Sequence, residues 1–229
     1  MIGIIGAMAE ELIEIKKHIS NLKEHQTKVR TFYTGKINSK DVVVVQAGIG
    51  KVNAAVTTSI LIENFDVDAI INIGVAGGQK GVSHKDVVIS TAVTHHDVDV
   101  TNFGSYVHGQ VPGLDALFQA DQTLLTKTKD VLEKLNLSYK VGKIASGDQF
   151  VYSSDKLVDI NKTYNDIYAI EMEAAAIAQT ASIYNIPFIV YRSISDVIDD
   201  ENQSDDYNVF LEEASLNASQ VLIELIKVI

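Results

Sequence analysis

The sequence predicts an α/β fold built on a mixed sheet, and three observations carry that prediction. Short β-branched runs, apolar at consecutive positions, suit strands buried on both faces. Longer segments with helical spacing lie between several of them, the alternation expected of α/β chains. One stretch, 31–41, instead alternates Phe32, Tyr33, Gly35, Lys36 and Asn38 around turn formers, as an antiparallel hairpin does.

In chain order, strands are predicted at 1–5, 42–46, 69–73, 87–92, 141–145 and 188–193, and helices at 10–22, 51–64, 123–135, 172–184 and 208–228. Segment 94–113 has no periodicity but carries Gly104, Gly109, Pro112 and Gly113, so a lid or a subunit contact is expected there. Glycines fall where strands end, at Gly3/Gly6, Gly48/Gly50, Gly74/Gly77/Gly78 and Gly147. In open α/β sheets ligands bind at the carboxyl ends of strands, where glycine lets backbone amides come close.

The chain has 229 residues, with 19 Lys+Arg against 30 Asp+Glu and a formal charge of −11, which excludes a nucleic-acid footprint. At 46% hydrophobic and 21% charged, it can build a core. Pro112 and Pro187 are the only prolines and no Ser/Gly-rich linker interrupts the chain, so residues 1–229 read as one domain. The absence of cysteine excludes disulfides and thiolate catalysis and fits a reducing compartment. The apolar N-terminus lacks a basic flank and meets Glu10-Glu11 early, and no run approaches the ~20 apolar residues of a membrane span. A cytoplasmic protein with no membrane partner is expected.

Several motifs fail on inspection. Gly48-Ile-Gly50-Lys51 lacks both the upstream glycine of a P-loop and the Ser/Thr that would hold magnesium, Val52 standing there. Asn53 occupies the third glycine position of the dinucleotide fingerprint, so no Rossmann cofactor is expected. His95-His96-Asp97 with Asp99 and His108 lacks metal-ligand spacing, and adjacent strand histidines face opposite ways. Neither metal nor cofactor is expected, and no GxSxG elbow is present.

Acidic groups stand beside the strand ends. Glu10 and Glu11 follow the first glycine loop, Glu171 and Glu173 open the helix near Met172, and Asp196 follows the strand at 188–193. Singly, such residues complement a helix dipole. Together they would share one rim of the sheet, and Asp196, emerging from an apolar run, would have a raised pKa fit for a general acid. Converging carboxylates without a metal point to glycosyl chemistry: one protonates the leaving group, another activates water, a third faces the cationic sugar.

These segments together resemble the bacterial 5′-methylthioadenosine/S-adenosylhomocysteine nucleosidases of the nucleoside phosphorylase superfamily. The resemblance runs end to end through Gly3-Ile-Ile-Gly-Ala-Met-Ala-Glu-Glu11, Gly48-Ile-Gly-Lys-Val-Asn53, Asn72-Ile-Gly-Val-Ala-Gly-Gly78, Val98-Asp-Val-Thr-Asn-Phe-Gly104, Ser146-Gly-Asp-Gln-Phe150, Ile170-Glu-Met-Glu-Ala-Ala175 and Arg192-Ser-Ile-Ser-Asp-Val197. It implies a three-layer αβα sandwich with a central mixed sheet. It also implies hydrolysis of the bond between adenine and a 5′-thio-ribose, within methionine salvage and the recycling of S-adenosylmethionine by-products.

By that resemblance Asp196 protonates adenine N7, Glu11 positions and deprotonates water, and Glu173 holds the ribose hydroxyls. Phe150 stacks on adenine and the Val151 backbone reads the purine edge. Met172 packs under the ribose, Arg192 contacts the water and nearby carboxylates, and Ser195 orients the acid. Met8, Ile49 and Tyr207 surround the ribose and alkylthio tail. The family completes its tail pocket across a homodimer, which gives Val100, Phe103 and Pro112 a place in the neighbouring site. Val75 stands where relatives often have Ser, which leaves Glu11, Arg192 and Glu173 to hold the water. One extra residue between Phe103 and Gly109 leaves either Ser105 or Tyr106 to reach the tail, and another lies between Asp196 and Phe210.

A phosphorylase needs cations or amide donors for phosphate, whereas the first glycine loop delivers Glu10-Glu11, which repel it. A nucleoside sensor needs no proton donor, so Asp196 beside Glu11 favours an enzyme.

Overall fold

The computed structural model describes residues 1–198, 200 and 203–229. Its strands are β1 (Ile2–Gly6), β2 (Ser20–Gln26), β3 (Thr31–Ile37), β4 (Lys40–Gln46), β5 (Ala69–Asn72), β6 (Val75–Gly78), β7 (Val87–His95), β8 (Phe118–Gln119), β9 (Tyr139–Ser146), β10 (Ile167–Glu171) and β11 (Phe188–Val197). Its helices are α1 (Glu10–Lys17), α2 (Lys51–Asn64), α3 (Gln122–Lys134), α4 (Ser154–Ile160), α5 (Ala174–Ile183) and α6 (Gln203–Val228).

The strands form one mixed sheet in the order β2-β3-β4-β1-β5-β11-β6-β10-β9-β7-β8. Its centre is parallel: β1 pairs with β4 and β5, and β5 with β11. These strands carry the continuous apolar runs, and Ile4, Ile5, Val42 to Val45, Ile70 and Ile71 are all fully buried. Strand β11 changes partners along its length, lying beside β5 over Phe188–Val190 and beside β6 from Ser193 onward, while Tyr191–Ser193 also pair antiparallel with β7. That extra pairing closes β11, β6, β10, β9 and β7 into a ring.

Helices cover both faces. The small-residue helix α5, with seven buried positions, packs on α2, while α1 and α3 pack on α6. The predicted mixed α/β architecture is the one observed. Helix α2 spans the predicted residues, and Asp121 caps α3 by accepting from the Leu124 N–H at 2.9 Å. The hairpin at 31–41 turns through Asn38 and Ser39, both at positive φ.

Four expectations need correcting. The first helix stops at Lys17 rather than residue 22, because the chain turns at Ser20 to run antiparallel to β3 as an edge strand. The glycine segment at 75–78 is strand β6, although its Val-Ala-Gly-Gly sequence has little strand propensity, because β11 and β10 flank it. Helix α5 starts at Ala174 rather than at Met172. Strand β11 runs four residues past the predicted end, so Asp196 lies inside it.

Candidate active site

The carboxyl ends of β1, β10 and β11 meet the Val75–Gly77 stretch of β6 at one cleft of about 470 Å³, with walls formed by Met8, Ile49, Phe150, Met172 and Tyr207. Glu11, Glu173 and Asp196 all face it. The shared rim expected of the acidic clusters therefore exists. Glu10 points away, onto an exposed face between α1 and α6.

At one end Glu11 is held by backbone. Its Oε2 accepts from the N–H groups of Ala7 (2.6 Å) and Met8 (3.0 Å), and Oε1 from the Val75 N–H (3.1 Å). Gly74 makes this possible: a Cβ there would stand 2.6 Å from Glu11 Oε1 and 3.4 Å from Arg192 Cζ. Burial pushes the Glu11 pKa above its ordinary value, while Arg192 and the three amides pull against it.

Arg192 is fully buried and does not line the cleft. It donates to Glu171 Oε2 at 2.6 Å and Asn72 Oδ1 at 2.7 Å, and Asn72 in turn donates to the Ile5 carbonyl at 2.9 Å. Its Nε finds no acceptor among the described protein groups. Glu171 also accepts from Ser146 Oγ and from the N–H groups of Glu173 and Ala174. The dipole-complementing reading thus holds for Glu171 at the start of α5, whereas Glu173 makes no side-chain cap.

The Glu173 carboxylate turns into the cleft and accepts from the Gly50 N–H at 2.8 Å. Gly50, at φ +95°, aims that amide from the residue preceding α2, a conformation glycine adopts without strain. Burial, with the Glu171 carboxylate beside it, pushes the Glu173 pKa up to about 8, against the Gly50 N–H and Arg192. Lys51 and Asp148 brace the Gly50 loop: the Lys51 N–H donates to Asp148 Oδ1 at 2.8 Å and its Nζ meets Asp97 at 2.5 Å.

At the other end, the β11–β6 register shifts between Ile194 and Asp196. This irregularity puts the adjacent residues Ser195 and Asp196 both against the cleft, where regular alternation would point them apart. Ser195 Oγ donates to Asp196 Oδ1 at 2.7 Å, and Gln203 Nε2 donates to Oδ2 at 2.7 Å. Burial pushes the Asp196 pKa above its ordinary value, against those two hydrogen bonds.

Of the predicted contacts, Met8, Ile49, Phe150, Met172, Ser195 and Tyr207 line the cleft, and Val75 lines it beside Glu11. The Phe150 and Tyr207 rings meet edge to face with centroids 5.9 Å apart, and the Tyr207 hydroxyl lies 3.5 Å from Met8 Sδ. Val151 is buried behind Phe150, off the open cleft. Val100, Phe103 and Pro112 lie outside this chain's own cleft, with Phe103 75% exposed. Tyr106 lines a separate groove with Phe118 and Pro187. Sequence reasoning gave no role to Asn72, Gln203 or the Gly50 amide: Asn72 opens a motif noted for its glycines, Gln203 is an ordinary polar residue outside any motif, and the Gly50 amide is backbone. His95 and His96 are buried, His95 Nε2 lying 2.8 Å from Gln179 Oε1. Among the described residues no group of three or more His, Asp or Glu is placed to hold a metal ion.

Comparison with known proteins gives a consistent picture. The profile of the phosphorylase superfamily matches residues 1–227. The chain is 44% identical to the 5′-methylthioadenosine/S-adenosylhomocysteine nucleosidase of Staphylococcus haemolyticus over the whole of both chains, and 43% identical to that of Oceanobacillus iheyensis over 99% of this chain and 98% of the other. Its structure matches the Neisseria meningitidis nucleosidase in complex with methylthio-immucillin-A at a TM-score of 0.96 and 40% identity, covering 100% and 99% of the two chains. A putative nucleosidase from Borrelia burgdorferi bound to adenine matches at a TM-score of 0.94, also at 40% identity, over the whole of both chains.

Proposed function

The chain belongs to the 5′-methylthioadenosine/S-adenosylhomocysteine nucleosidases of the phosphorylase superfamily, and from that premise we propose which of its residues do the work. The enzyme hydrolyses the N-glycosidic bond of both nucleosides, giving adenine and the 5′-thio-ribose. The observation carrying the assignment of roles is that three buried carboxyls converge on one cleft, Glu11 and Glu173 held by backbone N–H groups and Asp196 by side chains.

Asp196 is the general acid. Burial raises its pKa and so favours the protonated form, and Ser195 fixes the carboxyl so that the proton reaches adenine N7 as the C1′–N9 bond breaks. The base then departs neutral. Phe150 stacks on the purine, and the Val151 carbonyl accepts from its amine.

Glu11 orients and deprotonates the water. Backbone amides hold its carboxylate, and the Arg192 cation beside it favours its ionised form. Arg192 Nε is the remaining donor near that water. Glu173 is protonated at neutral pH, holds the ribose hydroxyls, and faces the sugar as cationic charge develops at C1′. Met172 lies under the ribose, and Met8, Ile49 and Tyr207 border the tail.

Water rather than phosphate is the nucleophile, because this end presents the Glu11 carboxylate while the nearest cation is tied to Glu171. Adenine release from methylthioadenosine, followed with and without phosphate, tests this. Free methylthioribose in phosphate-free buffer is the expected product; methylthioribose-1-phosphate, formed only with phosphate, would reverse the reading of Glu11.

The tail end is completed by a second copy of the chain, which contributes Val100, Phe103 and Pro112. An aromatic ring 75% exposed on an aperiodic loop supports this. Sedimentation at micromolar protein should give a dimer. We assign the enzyme to the cytoplasm, which the lack of cysteine supports; no described helix is long and apolar enough to cross a membrane.

A further inference from the structure

Gln203, the first residue of α6, is 95% buried, and its side-chain nitrogen serves two acceptors at once. Nε2 donates to Asp196 Oδ2 at 2.7 Å and to the Val151 carbonyl at 2.9 Å. One oxygen comes from β11 and the other from the loop before α4, so the carboxamide bridges two walls of the site. It places a pair of N–H donors against a carboxyl and a carbonyl.

A 6-aminopurine protonated at N7 has the same donor pattern on one edge: an exocyclic N6–H next to an N7–H. The base recognition proposed above uses these same two oxygens, Asp196 for N7 and the Val151 carbonyl for the amine. Base and side chain therefore cannot both have them. We propose that the Gln203 carboxamide is a built-in surrogate for the purine edge, occupying the base-reading oxygens until adenine displaces it.

Two further features support this. Asp196, Ser195 and Phe150 line the open cleft, whereas Val151 and Gln203 do not, so the carbonyl that would read the amine is covered. Its neighbours Ala145, Ile170 and Ile198 are buried and apolar, and both oxygens would lack a donor if the amide simply left. The surrogate keeps them satisfied and costs the incoming base an exchange of hydrogen bonds. Affinity for adenine falls by the fraction of molecules in which the amide has moved aside, which speeds product departure.

This inference rests on the proposed reading of the base, and the test separates the two. Adenine, purine (no exocyclic amine) and 7-deazaadenine (no N7) are titrated calorimetrically into the full-length wild type and into Gln203→Ala and Gln203→Leu. Wild type should favour adenine over both analogues, and both variants should bind adenine about five- to tenfold tighter. Folded variants that keep the preference for adenine but bind it equally or more weakly would overturn the surrogate while sparing the base reading. A wild type that binds all three bases alike would remove the base reading, and the inference with it. A crystal structure of the wild type with adenine decides the matter independently of the variants' folding. Gln203 Nε2 should have left both oxygens with adenine N6 and N7 in its place; an amide still on Asp196 Oδ2 beside bound adenine would contradict the proposal.

Discussion

At one end of the cleft Glu11 takes three backbone N–H donors, two from the loop after β1 and one from the start of β6, and lies near Arg192, whereas at the other Asp196 is held by two side chains, a hydroxyl and a carboxamide. Both carboxyls are buried and both pKa values are raised. The difference lies in what opposes burial. Near Glu11 a cation and fixed amide dipoles stabilise the anion, as a base for water requires. Near Asp196 the partners can rotate, which suits a group that gives up its proton and takes a new partner in each cycle. One end is a rigid socket and the other an adjustable one.

Asp196→Asn should have the largest effect on that contrast. An amide of the same shape keeps the pocket but supplies no acidic proton, so turnover should drop roughly a thousandfold while adenine still binds. Wild-type turnover in this variant would make the base end a binding surface only, as in a nucleoside sensor. Glu11→Gln comes next. Its amide can accept at one atom only, so its NH2 must face an amide donor of the socket, giving a turnover loss of about a hundredfold and a stability loss of about 1–3 kcal/mol. Thermal unfolding and steady-state kinetics on one preparation would show both; a change in activity with no change in Tm would mean that the socket is less rigid than its hydrogen bonds indicate.

Glu173 lies between the two ends and gives a pH signature. Its folded pKa, about 8, exceeds its unfolded value of 4.5, so the folded state binds the extra proton. The stability this contributes is complete below pH 4.5 and is lost as pH rises through about 8. Glu173→Gln mimics the protonated group and keeps the acceptor for Gly50. Its Tm should therefore rise relative to wild type as pH goes from 4.5 to 8; a constant difference would mean that Glu173 titrates normally. Phe103→Ala should have the smallest effect, a few-fold rise in KM for methylthioadenosine with kcat retained, seen at dimer concentrations. An unchanged KM would remove Phe103 from the neighbouring site.

Much of this architecture is legible in the sequence, because burial leaves periodic traces. The parallel centre reads as unbroken apolar runs and α2 as a helix over its full span, since both are decided by the faces they bury. Strand β2 leaves no such trace: all seven of its residues are exposed, and pairing with β3 holds it in the sheet. Strands β6 and β10 are short and form only where their neighbours supply a ladder. The site divides in the same way. Glu11, Glu173 and Asp196 stand beside glycines or apolar runs and announce themselves. The Gly50 amide has no side chain to read, Asn72 acts through a buried arginine, and Gln203 reaches Asp196 only because α6 begins five residues earlier than its apolar spacing indicates.

The central claim is a division of labour, with a proton donor at the base end and a water base at the sugar end. A substrate whose leaving group needs no proton isolates it. A 5-methylthioriboside of 4-nitrophenol, which departs as a stable anion, is compared with methylthioadenosine in wild type, Asp196→Asn and Glu11→Gln. The account predicts that Asp196→Asn cleaves the nitrophenyl substrate within about tenfold of wild type while failing on methylthioadenosine, and that Glu11→Gln fails on both. Equal loss on both substrates in Asp196→Asn would contradict the claim and make Asp196 a residue that positions the sugar.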